Sequence, residues 1–209
     1  MKKVLILSLL VATTLNFSSC KSEKSKDVKT EEKVEVTKST ADFSVASAEN
    51  SINFTAYKTT EKIGVGGEFK KVDVLAGGEG TTAKEAINNT EFSIPVSSIF
   101  TKDTSRDFKI KKFFFGIMDN TKLLSGKLMI TDDTTGVAEI KMNGVTEKVD
   151  FTYTITDKVF NMKATMDITN WNASAALESL NKACFDLHKG ADGVSKTWSE
   201  VALDITTTF

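Results

Sequence analysis

The chain has 209 residues, with 27 basic and 28 acidic side chains, 14 phenylalanines, two cysteines, and a single histidine and proline. A net charge of −1, with acids and bases interleaved, leaves no basic footprint for nucleic acid. The length fits one domain.

Lys2 and Lys3 precede an almost unbroken apolar run over 4–11, and a polar stretch leads to Phe17-Ser18-Ser19-Cys20. Positive charge, apolar run and small residues in that order are an export signal, expected over 1–19. The run is far below the roughly 20 residues that a membrane-spanning helix needs. A cysteine after two serines matches a bacterial lipobox, so Cys20 is expected to be acylated and to anchor the mature chain to a membrane of the cell envelope. The alternative is an ordinary secreted protein with a chance cysteine at the end of its signal. Without Lys2 and Lys3 the mature charge falls from −1 to near −3. Residues 20–42 are mostly Lys, Glu, Ser and Thr, too polar for a core, and are expected to form a disordered tether. Acylation of Cys20 leaves Cys184 without a disulfide partner.

From Phe43 to Phe209 the pattern is mostly period two, the signature of strands with one apolar face. Ile52, Phe54 and Ala56 alternate with polar neighbours. A long segment over 62–75 carries Ile63, Val65, Phe69, Val72 and Val74, and its Gly64, Gly66 and Gly67 suggest a bulge or sharp bend. Phe92, Ile94 and Val96 follow, with Pro95 marking an edge or a strand end. Further strands are expected over 124–130 and 137–142. Asn143-Gly144 predicts a type I′ hairpin turn into 145–155, where Val149, Phe151, Tyr153 and Ile155 share a face. Asp157-Lys158 turns the chain into Phe160, Met162, Ala164, Met166 and Ile168, and a last strand runs over 198–209. About eight strands joined by short turns predict an all-β fold, an antiparallel meander closed as a barrel.

Two segments break this pattern. Residues 104–115, with Ser or Thr capping candidates and Asp107 in the first turn, predict a short helix. Residues 173–189 predict an amphipathic helix with Asn172 as N-cap, Gly190 as stop, and Leu177, Leu180, Ala183, Cys184 and Leu187 on one buried face.

Catalytic groups are nearly absent. His188 sits at a helix terminus, where a structural role is expected. No GxSxG, HExxH or CxxC motif is present, and Gly64-Val65-Gly66-Gly67 lacks phosphate-loop spacing. Asp132-Asp133 reads as a solvated turn rather than a cation site. No cofactor and no metal are expected, and an enzyme of unfamiliar type is the least favoured reading. The inward positions of an eight-stranded barrel either fill it or line a cavity for one ligand, and periodicity does not separate the two.

The order of motifs resembles the YceI-like family of lipocalin-like envelope barrels. The matching residues are Ile52-Asn53-Phe54, Gly66-Gly67-Glu68-Phe69-Lys70, Ser97-Ser98-Ile99-Phe100-Thr101, Ser105-Arg106-Asp107 and Lys111-Lys112-Phe113-Phe114. The hairpin Met142-Asn143-Gly144-Val145-Thr146-Glu147-Lys148-Val149 and Ser199-Glu200-Val201 complete the series. The resemblance implies an eight-stranded antiparallel barrel with an apolar tunnel, occupied in some members by a polyisoprenoid. It therefore implies a long-chain lipid as partner, with Phe54, Phe69, Phe92, Phe151, Tyr153 and Met162 inside. Arg106 is the candidate for an anionic head group; pairing of Arg106 with Asp107, or a capping role, is the alternative. Members often carry a histidine where this chain has Lys58, and the segment 173–197 is longer than in simpler members. A filled barrel acting as an interaction module through its 173–189 helix is the competing reading.

Overall fold

Alternating apolar side chains have to reach a common interior, and the antiparallel pairing of successive strands brings them there. The computed structural model describes residues 40–209; the export signal, Cys20 and all but the last three residues of the expected tether lie outside them. The elements in chain order begin with β1 (Phe43–Ser44), β2 (Glu49–Lys58), β3 (Ile63–Phe69), β4 (Asp73–Ala76) and β5 (Glu79–Gly80). Next come α1 (Ala83–Ile87), β6 (Glu91–Pro95), β7 (Ile99–Phe100) and α2 (Thr104–Phe113). They end with β8 (Leu123–Ile130), β9 (Thr135–Met142), β10 (Val145–Thr156), β11 (Val159–Asp167), α3 (Ser174–Ala183) and β12 (Thr197–Thr208).

Ten strands form one sheet in the order β4-β6-β8-β9-β10-β11-β12-β2-β3-β7, and β1 pairs with β5 in a separate ribbon. All pairings are antiparallel. The chain passes between the two ends of this order twice, from β3 to β4 and from β6 to β7. Both connections are short, and Lys70 N donates to Ser98 O (3.0 Å), which extends the β3–β7 pairing by one step. The sheet therefore curls on itself as a lipocalin-like half-barrel. The all-β expectation holds, with ten strands in the sheet where eight were expected, the additional ones being as short as two residues.

The segment 62–75 is not one strand. It breaks after Phe69, and β4 pairs with β6 at the opposite end of the order. Its alternation shifts phase at the break, from odd positions through Phe69 to the even positions of Val72 and Val74, which line the same interior from the other side. Gly64, Gly66 and Gly67 mark no bulge, since β2 and β3 pair without a register shift from Ile52↔Phe69 to Lys58↔Ile63. The irregularities lie instead in β12, between Thr197 and Val201, and in β4, between Val74 and Ala76. Pro95 ends β6 between two neighbours and is not on an edge.

The Asn143-Gly144 turn is formed as expected, with φ of 51° and 73° and Met142 paired to Val145. Helix α2 starts where expected and ends at Phe113, two residues short of the expected 115, with a 3-10 turn over Phe115–Ile117 after it. Its N-cap is Asp103, which accepts from Ser105 N (2.9 Å) and Arg106 N (3.0 Å). The 173–189 helix is shorter than expected. Asn172 is left-handed (φ 56°) and closes the preceding 3-10 turn, and Ala173 precedes α3 without a side-chain cap. After Cys184 the backbone tightens into a 3-10 turn over Phe185–His188. The buried face is rotated out there, so Leu187 is 58 % exposed while Cys184 is buried.

Candidate functional site

The interior is neither solid nor an open tunnel. Helix α1 and Val45 cover one end, where a cavity of about 130 Å³ is lined by Phe69, Val74, Ile87, Phe92 and Met162 among others. Toward α2 and α3 lies a second apolar cavity of about 140 Å³, lined by Phe54, Phe69, Ile110, Phe114 and Leu180. Phe69, Leu124, Met142, Met166 and Leu203 line both cavities and form the partition between them. Beyond the second cavity a polar pocket of about 170 Å³ opens, lined by Lys58, Asp103, Arg106, Lys109, Cys184 and His188. It shares Ala56, Ile110, Leu180 and Thr197 with the second cavity. The three spaces stand in series.

The sequence candidates divide accordingly. Phe54, Phe69, Phe92 and Met162 line cavities. Phe151 and Tyr153 are buried in the wall but line neither. The Tyr153 hydroxyl donates to Asp132 O (2.7 Å), and its ring packs on Phe160 with centroids 5.3 Å apart. Three of the phenylalanines are seated by glycines: Phe54 lies across from Gly67, Phe92 from Gly126 and Phe151 from Gly136. A Cβ on any of these glycines would overlap the facing ring. Ring over glycine is a cross-strand arrangement that pins register.

Arg106 reaches the polar pocket without pairing to Asp107. Its Nη1 donates to Thr101 O (3.3 Å), and Nη2 lies 3.7 Å from Asp103. Asp107 is buried and accepts from Thr101 N (2.8 Å) and Thr101 Oγ1 (2.6 Å), which ties α2 to β7. Burial, reinforced by Lys58 and Arg106, pushes the His188 imidazole down to about 4, so it is neutral at physiological pH. Burial pushes the Cys184 thiol up, against the pull of Lys109, Lys58 and Arg106. That is the behaviour of an inert packed cysteine rather than a nucleophile.

The Asp132-Asp133 pair is a turn. Asp132 accepts from Thr134 N (2.7 Å), Thr135 N (2.8 Å) and Thr135 Oγ1 (2.6 Å), which hold its carboxyl down at about 2, and Asp133 pairs with Lys84 (2.6 Å). Among the described residues no three His, Cys, Asp or Glu side chains gather as a metal site. Sequence reasoning missed Lys109 and the partition residue Leu124; Leu203 stands on the apolar face of the last expected strand but is not singled out there as a site residue. Met142 and Met166 carried a usable signal, since both stand at inward positions of expected strands.

A profile of the YceI-like domain matches residues 43–209. The chain belongs to the YceI-like family. Among solved structures it is similar to a polyisoprenoid-binding domain from Saccharophagus degradans implicated in plant cell wall breakdown, at 12% identity and a TM-score of 0.55, covering 76% of this chain and 91% of that one. It is also similar to BcnA of Burkholderia cenocepacia, at 13% identity and a TM-score of 0.52, covering 80% of this chain and 99% of that one. At such identities these neighbours establish the YceI-like fold alone. No curated protein matches the chain.

Proposed function

We propose that this YceI-like chain is a membrane-tethered envelope lipoprotein that holds a long apolar lipid, such as a polyisoprenoid, inside the half-barrel and catalyses no reaction. The observation that carries this reading is the pair of apolar cavities in series, which end in a polar pocket. Burying prenyl surface is favourable by roughly 25 cal/mol per Å², and apolar cavities of this size stay dry and accept apolar guests. The polyisoprenoid-binding domain from Saccharophagus degradans supports the choice of guest, and the lipobox ending at Cys20 supports the tether.

Each cavity is smaller than the roughly 300 Å³ at which ligand pockets begin, so a long chain enters only if the partition yields. Two of its five residues are Met142 and Met166. Methionine is unbranched with three rotatable bonds, and it adapts to new contents at low cost. Native mass spectrometry of gently purified protein, with extraction and identification of bound lipid, tests the reading. A bound or exchangeable prenyl lipid is expected. Protein recovered empty in repeated preparations, and unable to take up prenyl lipids, would instead indicate a module that works through its surface.

A further inference from the structure

The polar pocket is assembled from distant parts of the chain: Lys58 at the end of β2, Arg106 and Lys109 on α2, and Cys184 and His188 after α3. Three cations and one carboxylate line it, in a chain whose overall balance is −1. The carboxylate, Asp103, is committed to capping α2 and meets Arg106 only at 3.7 Å. Lys58 Nζ donates once, to Leu187 O (2.9 Å), and Arg106 makes one side-chain bond, so both keep donors in hand. His188 adds no positive charge. Thr197 Oγ1 donates to Asn181 Oδ1 (2.8 Å), so His188 Nδ1 supplies the proton of its 2.6 Å bond to Thr197, and Nε2 is bare.

Polarity along the interior has a direction. At the α1 end the few polar groups satisfy one another or the backbone: Thr207 Oγ1 donates to Asn50 Oδ1 (2.8 Å), and Thr90 Oγ1 to Ala86 O (2.6 Å). At the α2 end the cations retain unpaired donors.

Building on the lipid-binding reading, we propose that this pocket is a head-group site for a single-chain lipid ending in an oxyanion, either phosphate or carboxylate. Lys58 and Arg106 are the main contacts, and the tail runs toward α1. A guanidinium meets an oxyanion with two parallel hydrogen bonds, and the lysine adds a compact charge beside it. The fields of Lys58 and Arg106 already converge here, since both act on His188 and on Cys184. A neutral prenyl alcohol would gain the tail contacts and none of this pairing.

The test is competition against a fluorescent lipid with geranylgeranyl phosphate, geranylgeraniol, palmitate and hexadecanol, each kept below its micelle concentration. At least one anion is expected to bind about tenfold or more tighter than its matching alcohol. The Lys58→Gln, Arg106→Gln double variant should lose that preference and keep its affinity for the alcohols. In the unsubstituted protein the preference should shrink between about 0.05 M and about 0.5 M salt, which needs no variant to fold. Preference for geranylgeranyl phosphate alone assigns a phosphate head; preference for both anions assigns oxyanions in general. Equal binding of anion and alcohol, or a preference that survives both the double variant and salt, overturns the head-group site and leaves the lipid reading standing. Failure of all four to bind overturns the lipid reading itself.

Discussion

Phe54 occupies its interior place because Gly67, directly across in β3, has no side chain to contest it. The neighbouring Gly66 is different: a Cβ there would find nothing nearer than Phe54 O at 4.0 Å. Gly66→Ala is therefore expected to be neutral or to stabilise by up to about 1 kcal/mol, through the lower entropy of the unfolded chain. Gly67→Ala forces the Phe54 ring aside and is expected to cost about 1–3 kcal/mol. Urea unfolding of the two variants checks the opposite signs. His188 carries a second prediction. Its imidazole ionises near 4 when folded, against an ordinary value of 6.5, so the unfolded chain binds the proton more readily. Its contribution to stability is complete above pH 6.5 and is lost as pH falls from 6.5 through about 4. Urea midpoints of the wild type and of His188→Gln, compared at intervals over that window, should show the wild type losing ground relative to the variant as pH falls. A constant difference would remove the assignment.

The β9–β10 hairpin does more than turn the chain. Asn143 Oδ1 accepts from Asp119 N (2.8 Å), and its Nδ2 donates to Trp171 O (2.8 Å). The tip thereby joins the segment after α2 to the 3-10 turn before α3. Trp171 is fully buried, and its Nε1 donates to Ile140 O (2.8 Å). Asn143→Ala should cost about 1–3 kcal/mol in two lost bonds, one to exposed and one to partly buried backbone, with the left-handed backbone adding roughly another 1–2. Asn143→Gly relieves the backbone part alone, so the gap between the two variants in chemical denaturation reads the strain. The period-two strands and the Asn-Gly turn were legible in the sequence because they depend on neighbours two residues apart. The length of the last helix was not. Its apolar spacing continues to Leu187, but after Cys184 the backbone tightens to 3-10, and spacing alone does not register that change.

Across the whole molecule the curl of the sheet decides what the interior can hold. It brings β4 and β3, consecutive in the chain, to opposite ends of the strand order, and leaves two cavities where a perfectly packed core would leave none. Ala138 is 1 % exposed and lines the cavity near α1. Ala138→Leu would place most of its added volume in that space. Prenyl-lipid uptake is expected to fall about tenfold or more, for a stability cost below about 1.5 kcal/mol because the volume enters a void rather than a packed wall. Native mass spectrometry paired with thermal unfolding measures both quantities.

The expectations of an export signal over 1–19, a lipobox at Cys20 and a polar tether after it rest on local sequence patterns alone. The all-β class and the inward faces of Phe54, Phe69, Phe92 and Met162 were likewise readable, because strand periodicity is a property of adjacent residues. Which of the buried aromatics border a cavity was decided only by the tertiary structure: Phe151 and Tyr153 alternate as cleanly as the others, yet they pack into the wall. The polar pocket was also beyond the sequence as a unit. Lys58, Arg106, Lys109 and His188 are up to 130 positions apart, and only the closure of α2 and α3 over the end of β2 sets their charges around one space.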